Sequence, residues 1–449
     1  MPYDDTIAAI ATPPGAGGVA IVRISGPDSH QVLADLFVPA RVGRWRPFRM
    51  RYGRIIDANG TVLDDGLAVT MRAPRSFTGE DAAEVSCHGG PLVVQLVLAR
   101  ALACGARLAE PGEFTLRAFL NGRMDLAQAE ATLDVIAART ADGLQLARAQ
   151  LGGRLSHELH QIREALLAPL ALVTAQIDFP EDDVPTAAID APLASAQAGI
   201  ARLLAGADQG IITRQGARAV IIGLPNAGKS SLLNALLRND RAIVTPIAGT
   251  TRDTLEETAD IGGVPVVLVD TAGFAASDDP IEQLGIARSH QALAAADLAL
   301  LVVDATQPIG ADVTQIAALA GPKPLLLVYN KADLLADTPP APPFAVSTQV
   351  LVSAATGAGI ADLAARVAAL LLGGGAPAER LVTRPRQRDA LRRAADALAA
   401  AQGGVLAAAP IELIAEDLTA ALAALGEITG DGVGDDLLAE IFSRFCIGK

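Results

Sequence analysis

The run Gly223-Leu224-Pro225-Asn226-Ala227-Gly228-Lys229-Ser230 constrains this chain more than any other segment. It follows the apolar stretch Ala217–Ile222 and precedes the helix-like Ser231 to Leu237. A buried strand running through such a loop into a helix has a physical use. Glycine lets successive backbone N–H groups turn inward around an anion, at a helix N-terminus whose dipole favours negative charge. In that setting Lys229 supplies a compact ammonium to the β- and γ-phosphates of a nucleotide, and the Ser230 hydroxyl supplies a Mg²⁺ ligand. The chain holds 36 basic residues, of which only Lys229, Lys323, Lys331 and Lys449 are lysine. In a sequence that habitually uses Arg, a Lys inside the loop suggests that a point charge is required there.

Four further elements follow in the order a GTP-binding domain requires. Thr245-Pro246-Ile247-Ala248-Gly249-Thr250-Thr251 supplies a first switch, with Thr251 as the second Mg²⁺ ligand. The strand-like Val264–Val269 ends at Asp270-Thr271-Ala272-Gly273, where Asp270 supports Mg²⁺ through water and the Gly273 N–H reaches the γ-phosphate. After the run Leu298–Val303, Leu325–Val328 leads to Asn330-Lys331-Ala332-Asp333. Guanine offers N1–H and N2–H donors that adenine lacks, so the Asp333 carboxylate selects the base. Ser353-Ala354-Ala355 then presents backbone groups to guanine O6. The GTP-binding candidates are therefore Asn226, Ala227, Gly228, Lys229, Ser230 and Ser231 in the loop, together with all residues of these four motifs. Ras-like enzymes place a water-orienting Gln directly after the second switch motif, but this chain has Phe274. Glu282, a bound cation and Arg252 are the candidates to replace it.

The texture of the rest sets the fold class. Residues 1–118 mix short β-like runs (Thr6–Ala11, Val19–Ile24, Gly66–Met71) with Gly/Pro turns and a helix-like Leu92–Cys104, an α+β pattern. Ala/Leu-rich helical patterns then cover roughly 125–150, 154–177 and 190–208, and return at roughly 384–402, 411–426 and 433–445. Helices on both sides of an α/β segment predict a Ras-like P-loop domain inserted into an all-α domain. The expected boundaries are 1–118, 119–215, 216–375 and 376–449, the second and fourth being two parts of one helical domain.

At 449 residues and net charge −14 the chain is not an obvious polyanion binder. Arg41, Arg44, Arg46, Arg49, Arg51 and Arg54 form its one dense basic run, read as a solvated hairpin, with RNA contact as the other reading. Cys87, Cys104 and Cys446 lack metal-ligand or disulfide-framework spacing. No apolar run reaches the ~20 residues of a membrane span, and the acidic N-terminus does not resemble a signal peptide. A cytoplasmic protein without a membrane partner is expected.

Marks outside the nucleotide motifs narrow the reading. They are Ala11-Thr12-Pro13-Pro14-Gly15, Arg23-Ile24-Ser25-Gly26, Ser76-Phe77-Thr78-Gly79-Glu80-Asp81, Pro111-Gly112-Glu113-Phe114, Arg117-Ala118-Phe119-Leu120-Asn121 and the terminal Phe445-Cys446-Ile447-Gly448-Lys449. Over essentially its whole length the chain resembles the MnmE (TrmE) family of bacterial tRNA-modifying GTPases. The resemblance implies a folate-binding and homodimerising first domain, with a 5-formyl- or 5,10-methylene-tetrahydrofolate donor held by Arg23, Glu84, Arg123 and Lys449. It implies K⁺ at Asn226, Thr245, Ile247 and Thr250, hydrolysis stimulated by K⁺ through G-domain dimerisation, and Glu282 orienting the attacking water. It implies an FAD- and NADH-dependent partner of the MnmG (GidA) type in a heterotetramer or larger complex. Together the two would add a carboxymethylaminomethyl or aminomethyl group to C5 of a wobble uridine in tRNA. A ribosome-assembly GTPase and a folate enzyme regulated by GTP are the alternatives, and no KH-like module or basic tail favours the first.

Overall fold

The computed structural model describes residues 4–179, 189–239, 256–270, 291–335, 338–373 and 380–448. Packing divides the chain into two compact units, Met1–Leu133 with Gly426–Lys449, and Asp134–Leu425.

The first unit is built on a seven-stranded sheet of order β3-β4-β5-β6-β2-β1-β7. Its strands are β1 Ile7–Ile10, β2 Gly17–Ser25, β3 Phe37–Pro39, β4 Arg51–Ile56, β5 Val62–Met71, β6 Ala82–Gly89 and β7 Arg107–Leu108. All neighbours pair antiparallel except β1 with β7. Period-two burial explains the strands: Val22 and Ile24 of β2 and Val85 of β6 enter one core. The helices α1 Ser29–Leu36 and α2 Pro91–Ala103 cover that face, with Pro91 at a first-turn position where its missing N–H costs nothing. The opposite face of β1 buries Ile7 and Ala9 with Ala109 and with Phe114 of α3 Glu113–Leu120. From α4 Leu126–Ala137, Leu126 joins Phe442 and Phe445 of the chain's last segment in a further apolar cluster.

The second unit contains a six-stranded sheet, β13-β12-β11-β8-β10-β9, parallel except at the β9 edge. The strands are β8 Ala217–Ile222, β9 Glu256–Ile261, β10 Val264–Asp270, β11 Leu298–Asp304, β12 Leu325–Asn330 and β13 Thr348–Leu351. The near-continuous apolar runs of β8, β11 and β12 are buried on both faces, as a parallel sheet demands. The helices α9 Lys229–Asn239 and α11 Ile360–Leu372 enclose one face, and α10 Ala311–Leu319 the other.

The all-α part of this unit comprises α5 Ala141–Leu151, α6 Arg154–Asp178, α7 Asp190–Ala205 and α8 Ala207–Gln215 before the sheet, with α12 Pro385–Leu406 and α13 Ile411–Thr429 after it. α12 packs on α7, which packs on α6, so helices from both sides of the α/β segment share one bundle. The Gln150 side chain ties the two parts, donating to Leu381 O at 2.6 Å and accepting from Thr383 Oγ1 at 3.0 Å. Insertion of a P-loop domain into a helical domain is the architecture observed.

One expectation fails locally. The helical pattern over roughly 125–150 is not one helix, because α4 ends at Ala137 and α5 begins at Ala141. Thr140 takes an extended conformation, caps α5 by accepting from Gly143 N–H at 3.1 Å, and donates to Gly263 O at 2.9 Å. A cap and a tertiary partner together outweigh helix propensity over three residues.

Candidate functional site

The phosphate-type loop lies between the C-terminal end of β8 and α9. Gly223 has φ +149°, and a Cβ there would stand 2.3 Å from Val302 O on the adjacent strand. At Gly228 (φ +92°) a Cβ would stand 2.2 Å from Asn330 Nδ2. Both positions therefore admit only glycine, the second because a neighbouring strand end delivers an amide against the loop. Lys229 is 9 % exposed and donates to Gly223 O at 3.1 Å and Leu224 O at 3.0 Å. Burial lowers its pKa against the opposing pull of Asp270.

Ser230 and Asp270 meet in space from 40 residues apart, Ser230 Oγ donating to Asp270 Oδ2 at 2.7 Å. The parallel register of β10 on β8, with Asp270 opposite Ile221, brings them there. Asp270 Oδ1 is buried and has no hydrogen-bond partner among the described residues. An anionic oxygen without a donor, beside a hydroxyl, is a donor set that suits a hard divalent cation such as Mg²⁺.

The base side forms on the ends of β12 and β13. Asn330, 2 % exposed, donates through Nδ2 to Ala227 O at 3.0 Å and accepts on Oδ1 from Ala354 N–H at 3.0 Å. One amide thus fixes the loop against the Ser353–Ala355 segment. Lys331, at φ +65°, donates to Asp304 Oδ2 at 2.7 Å. Burial pushes the Asp304 carboxyl up, but Lys331 and the Thr306 hydroxyl and N–H outweigh it and hold it below the usual range. Asp333 is exposed on the wall of a groove of about 580 Å³ that Gly228, Ser231, Asn330, Lys331, Ala354 and Ala355 also line. Ala332 donates its N–H to Val352 O at 3.0 Å, and Ser353 is fully buried. Loop, Mg²⁺-type and base-type candidates are therefore assembled at the C-terminal ends of adjacent parallel strands, where open α/β sheets place ligands.

Several sequence candidates lie outside the described residues: Thr245, Pro246, Ile247, Ala248, Gly249, Thr250, Thr251, Arg252, Thr271, Ala272, Gly273, Phe274, Glu282 and Lys449. Of the K⁺ candidates only Asn226 is described, at φ +61° in the loop. Asp304 was not among the candidates. Its signal was the acidic end of the Leu298–Asp304 run, which becomes meaningful only once β11 pairs with β12 and Asp304 stands opposite Asn330.

A second cluster occupies the first unit. Arg23 and Glu84 are cross-strand partners on β2 and β6, and Arg23 Nε donates to Glu84 Oε1 at 2.9 Å. Arg23 also donates to Gly448 O at 3.3 Å, and its guanidinium lies 5.5 Å from the Phe77 ring centre and 5.7 Å from that of Phe114. Arg123 is exposed, and Gly79 approaches it so closely that a Cβ there would stand 3.0 Å from Arg123 Cγ. Arg23, Glu84 and Gly448 thus share one polar site beside two aromatic rings.

Beside this cluster the family marks collapse into one ionic network. Arg117, 1 % exposed, donates to Asp5 Oδ1 at 2.6 Å, Glu113 Oε1 at 2.9 Å and Glu80 Oε1 at 3.4 Å. Arg107 donates to Glu113 at 2.7 Å and to Asp5 at 2.7 Å. Ser25 donates to Glu80 at 2.7 Å. These marks carry structure: a buried guanidinium is tolerable only when surrounded in this way.

The family model described as "MnmE helical domain" matches residues 126–446, and the one described as "GTP-binding protein TrmE N-terminus" matches residues 6–123. A tRNA modification GTPase MnmE from Roseiflexus sp. (strain RS-1) is 60 % identical over 461 aligned positions, covering 100 % of both chains. One from Chloroflexus aurantiacus is 57 % identical over 99 % of this chain and 100 % of its own. Among solved structures, a variant of Era from Aquifex aeolicus bound to GDP and AlF₄⁻ is 28 % identical over 40 % of this chain and 66 % of its own, with a TM-score of 0.29.

Proposed function

The chain belongs to the MnmE family of tRNA modification GTPases, and from that membership we propose that it acts on the wobble uridine of certain tRNAs, adding a carboxymethylaminomethyl or aminomethyl group at C5. GTP binding and hydrolysis belong to the family as a whole. The observation that carries the guanine assignment here is the groove in which Asn330, Asp333 and the Ala354 backbone converge on the loop.

Each described residue has a distinct task in this reading. The loop amides and the Lys229 ammonium grip the β- and γ-phosphates, and the Asp333 carboxylate accepts from the two guanine donors. Ser230 and Thr251 would ligate Mg²⁺, with Asp270 supporting it through water, and the ion would supply neutralisation of phosphate charge. The unpartnered Asp270 Oδ1 supports this assignment. Asn226, Thr245, Ile247 and Thr250 are assigned to K⁺, and Glu282 to orientation of the attacking water. Without a switch Gln, a cation near the phosphates is a reasonable source of the charge an arginine finger otherwise supplies.

Residues 1–118 are assigned to folate binding and homodimerisation, 119–215 with 376–449 to the helical domain, and 216–375 to the G domain. Arg23, Glu84, Arg123 and Lys449 are assigned to a tetrahydrofolate one-carbon donor, which supplies the carbon added to the base. Arg23 and Glu84 fit such a ligand because their charged ends meet beside Phe77 and Phe114. An FAD- and NADH-dependent subunit of the MnmG type is assigned as partner, in the cytoplasm. No described helix is long and apolar enough to cross a membrane.

The decisive experiment is mass spectrometry of tRNA nucleosides from a deletion strain. Loss of the C5-substituted wobble uridines, restored by the intact gene, is expected. An unchanged nucleoside profile rejects the assignment.

A further inference from the structure

The arginine-rich hairpin loop of the first unit, residues 40–52, has a form that a merely solvated loop does not need. It joins β3 to β4, and its ends are closed by the pairs Phe37 with Ile55 and Pro39 with Gly53 and by Ala40 N–H donating to Tyr52 O at 2.9 Å. Arg51 turns inward: its guanidinium donates to the carbonyls of Gly43 and Arg41 and lies 5.0 Å from the Trp45 ring centre. Trp45 in turn rests on Phe37, with ring centres 6.1 Å apart. Phe48 N–H donates to Thr70 O at 2.9 Å. The loop is thus fastened at both ends and in the middle.

Against this scaffold Arg41, Arg44, Arg46 and Arg49 are all exposed, and among the described residues no carboxylate pairs with any of them. Arg23, Arg107 and Arg117 of the same unit, by contrast, each meet a carboxylate at 2.9 Å or less. The four line a groove of about 640 Å³ with Arg51, Met50 and Tyr52, and its lining contains no acidic residue. Phe48 (59 % exposed), Met50 (58 %) and Tyr52 (58 %) present apolar faces beside them. Four unpaired guanidiniums on a pre-ordered loop, in a chain of net charge −14, form a local field opposite to the molecule's own. A concave basic channel with interleaved aromatic faces fits a strand of sugar-phosphate with accessible bases better than it fits the flat surface of a bilayer.

We propose that this hairpin groove is an RNA-backbone contact through which the protein holds tRNA. The proposal rests on the reading of the chain as a tRNA-acting protein. Because the backbone of the loop is already fastened, binding has to order only the side chains of the four arginines.

The test is binding of fluorescently labelled tRNA to the full-length protein across a KCl titration. It compares wild type with a fourfold variant (Arg41→Gln, Arg44→Gln, Arg46→Gln, Arg49→Gln) and with the corresponding fourfold Lys variant. Each neutralised phosphate contributes about 0.7–0.9 to the slope of log K against log salt. The Gln variant is expected to bind at least tenfold more weakly with a slope shallower by about three, and the Lys variant to recover most of the slope. GTP hydrolysis without tRNA is expected to be unchanged in both, which shows that the fold is intact. Equal tRNA affinity and slope in wild type and the Gln variant overturn the site while leaving the tRNA reading standing. Equal loss in the Gln and Lys variants overturns it too, since the second retains the charge. A wild-type protein that binds no tRNA overturns the reading and the site together. Loss of binding to phosphatidylglycerol vesicles with tRNA binding intact assigns the groove to membrane and overturns the proposal.

Discussion

Ser353 donates its hydroxyl proton to Asp333 Oδ1 across 2.5 Å, and its oxygen accepts from Thr356 N–H at 3.1 Å. The serine is fully buried and follows β13, whereas the aspartate lies in the short 3-10 turn after β12. Parallel pairing of these strands makes the contact possible. It fixes one carboxylate oxygen through one lone pair and leaves acceptor capacity on both oxygens for the two donors of a base.

Asp333→Asn turns an acceptor pair into one acceptor and one donor. Two charge-assisted hydrogen bonds of ~1.5–3 kcal/mol each are at stake. GTP affinity is expected to fall on the order of 100-fold while xanthosine triphosphate becomes the better ligand. Titration with fluorescent nucleotides reads this, and a surviving guanine preference removes Asp333 from the base pocket.

Asp270→Asn keeps the hydrogen bond from Ser230 available but deletes the charge. The Mg²⁺ concentration for half-maximal GTP hydrolysis should rise roughly tenfold or more, consistent with loss of an anionic outer ligand. An unchanged Mg²⁺ requirement places the cation elsewhere.

Glu282→Ala is expected to abolish turnover while leaving GTP affinity near normal, since a residue that orients water contributes chiefly in the transition state. In the unaltered protein, hydrolysis should run several-fold faster in K⁺ than in Na⁺. Equal rates in the two salts discard the potassium assignment.

Acid should destabilise the first unit. Burial raises the Glu113 pKa, but hydrogen bonds from Arg107, the Glu110 N–H and Arg117 outweigh it, and the net direction is down. Asp5 is lowered chiefly by its hydrogen bond from Arg107, with Arg117 adding to the effect. Carboxylates depressed in the folded state contribute stability that is complete above their unfolded values of about 4 and disappears as pH falls through the folded ones. The melting temperature should therefore hold between neutrality and about pH 5 and drop below about pH 4. Arg117→Met removes the buried partner that Glu113 shares with Asp5 and Glu80 and should cost about 3 kcal/mol at neutral pH, with a shallower acid limb. An acid limb identical to that of wild type contradicts this account.

Thr140→Ala removes both the cap of α5 and the contact to Gly263 O. A loss of about 1–2 kcal/mol is expected in thermal or urea unfolding. A change below about 0.3 kcal/mol would mean that the helix break is set elsewhere.

The sequence by itself determined the phosphate loop, the order of the nucleotide motifs, and an α/β segment set between helical stretches. These are local properties: glycine spacing, strand length and hydrophobic period act within a few residues. Only the tertiary structure decided that Gly228 must be glycine because of Asn330 Nδ2, that Lys331 is held by Asp304, and that Ser230 meets Asp270. It also decided that Thr140 leaves the helix for Gly263 and that Arg107, Arg117, Glu113 and Asp5 form one ionic network. Each of these depends on which strand ends or helices become neighbours. That choice is made by long-range packing, in which partners tens or hundreds of residues apart satisfy one another's hydrogen bonds and charges, and a single sequence records the partners without recording the pairing.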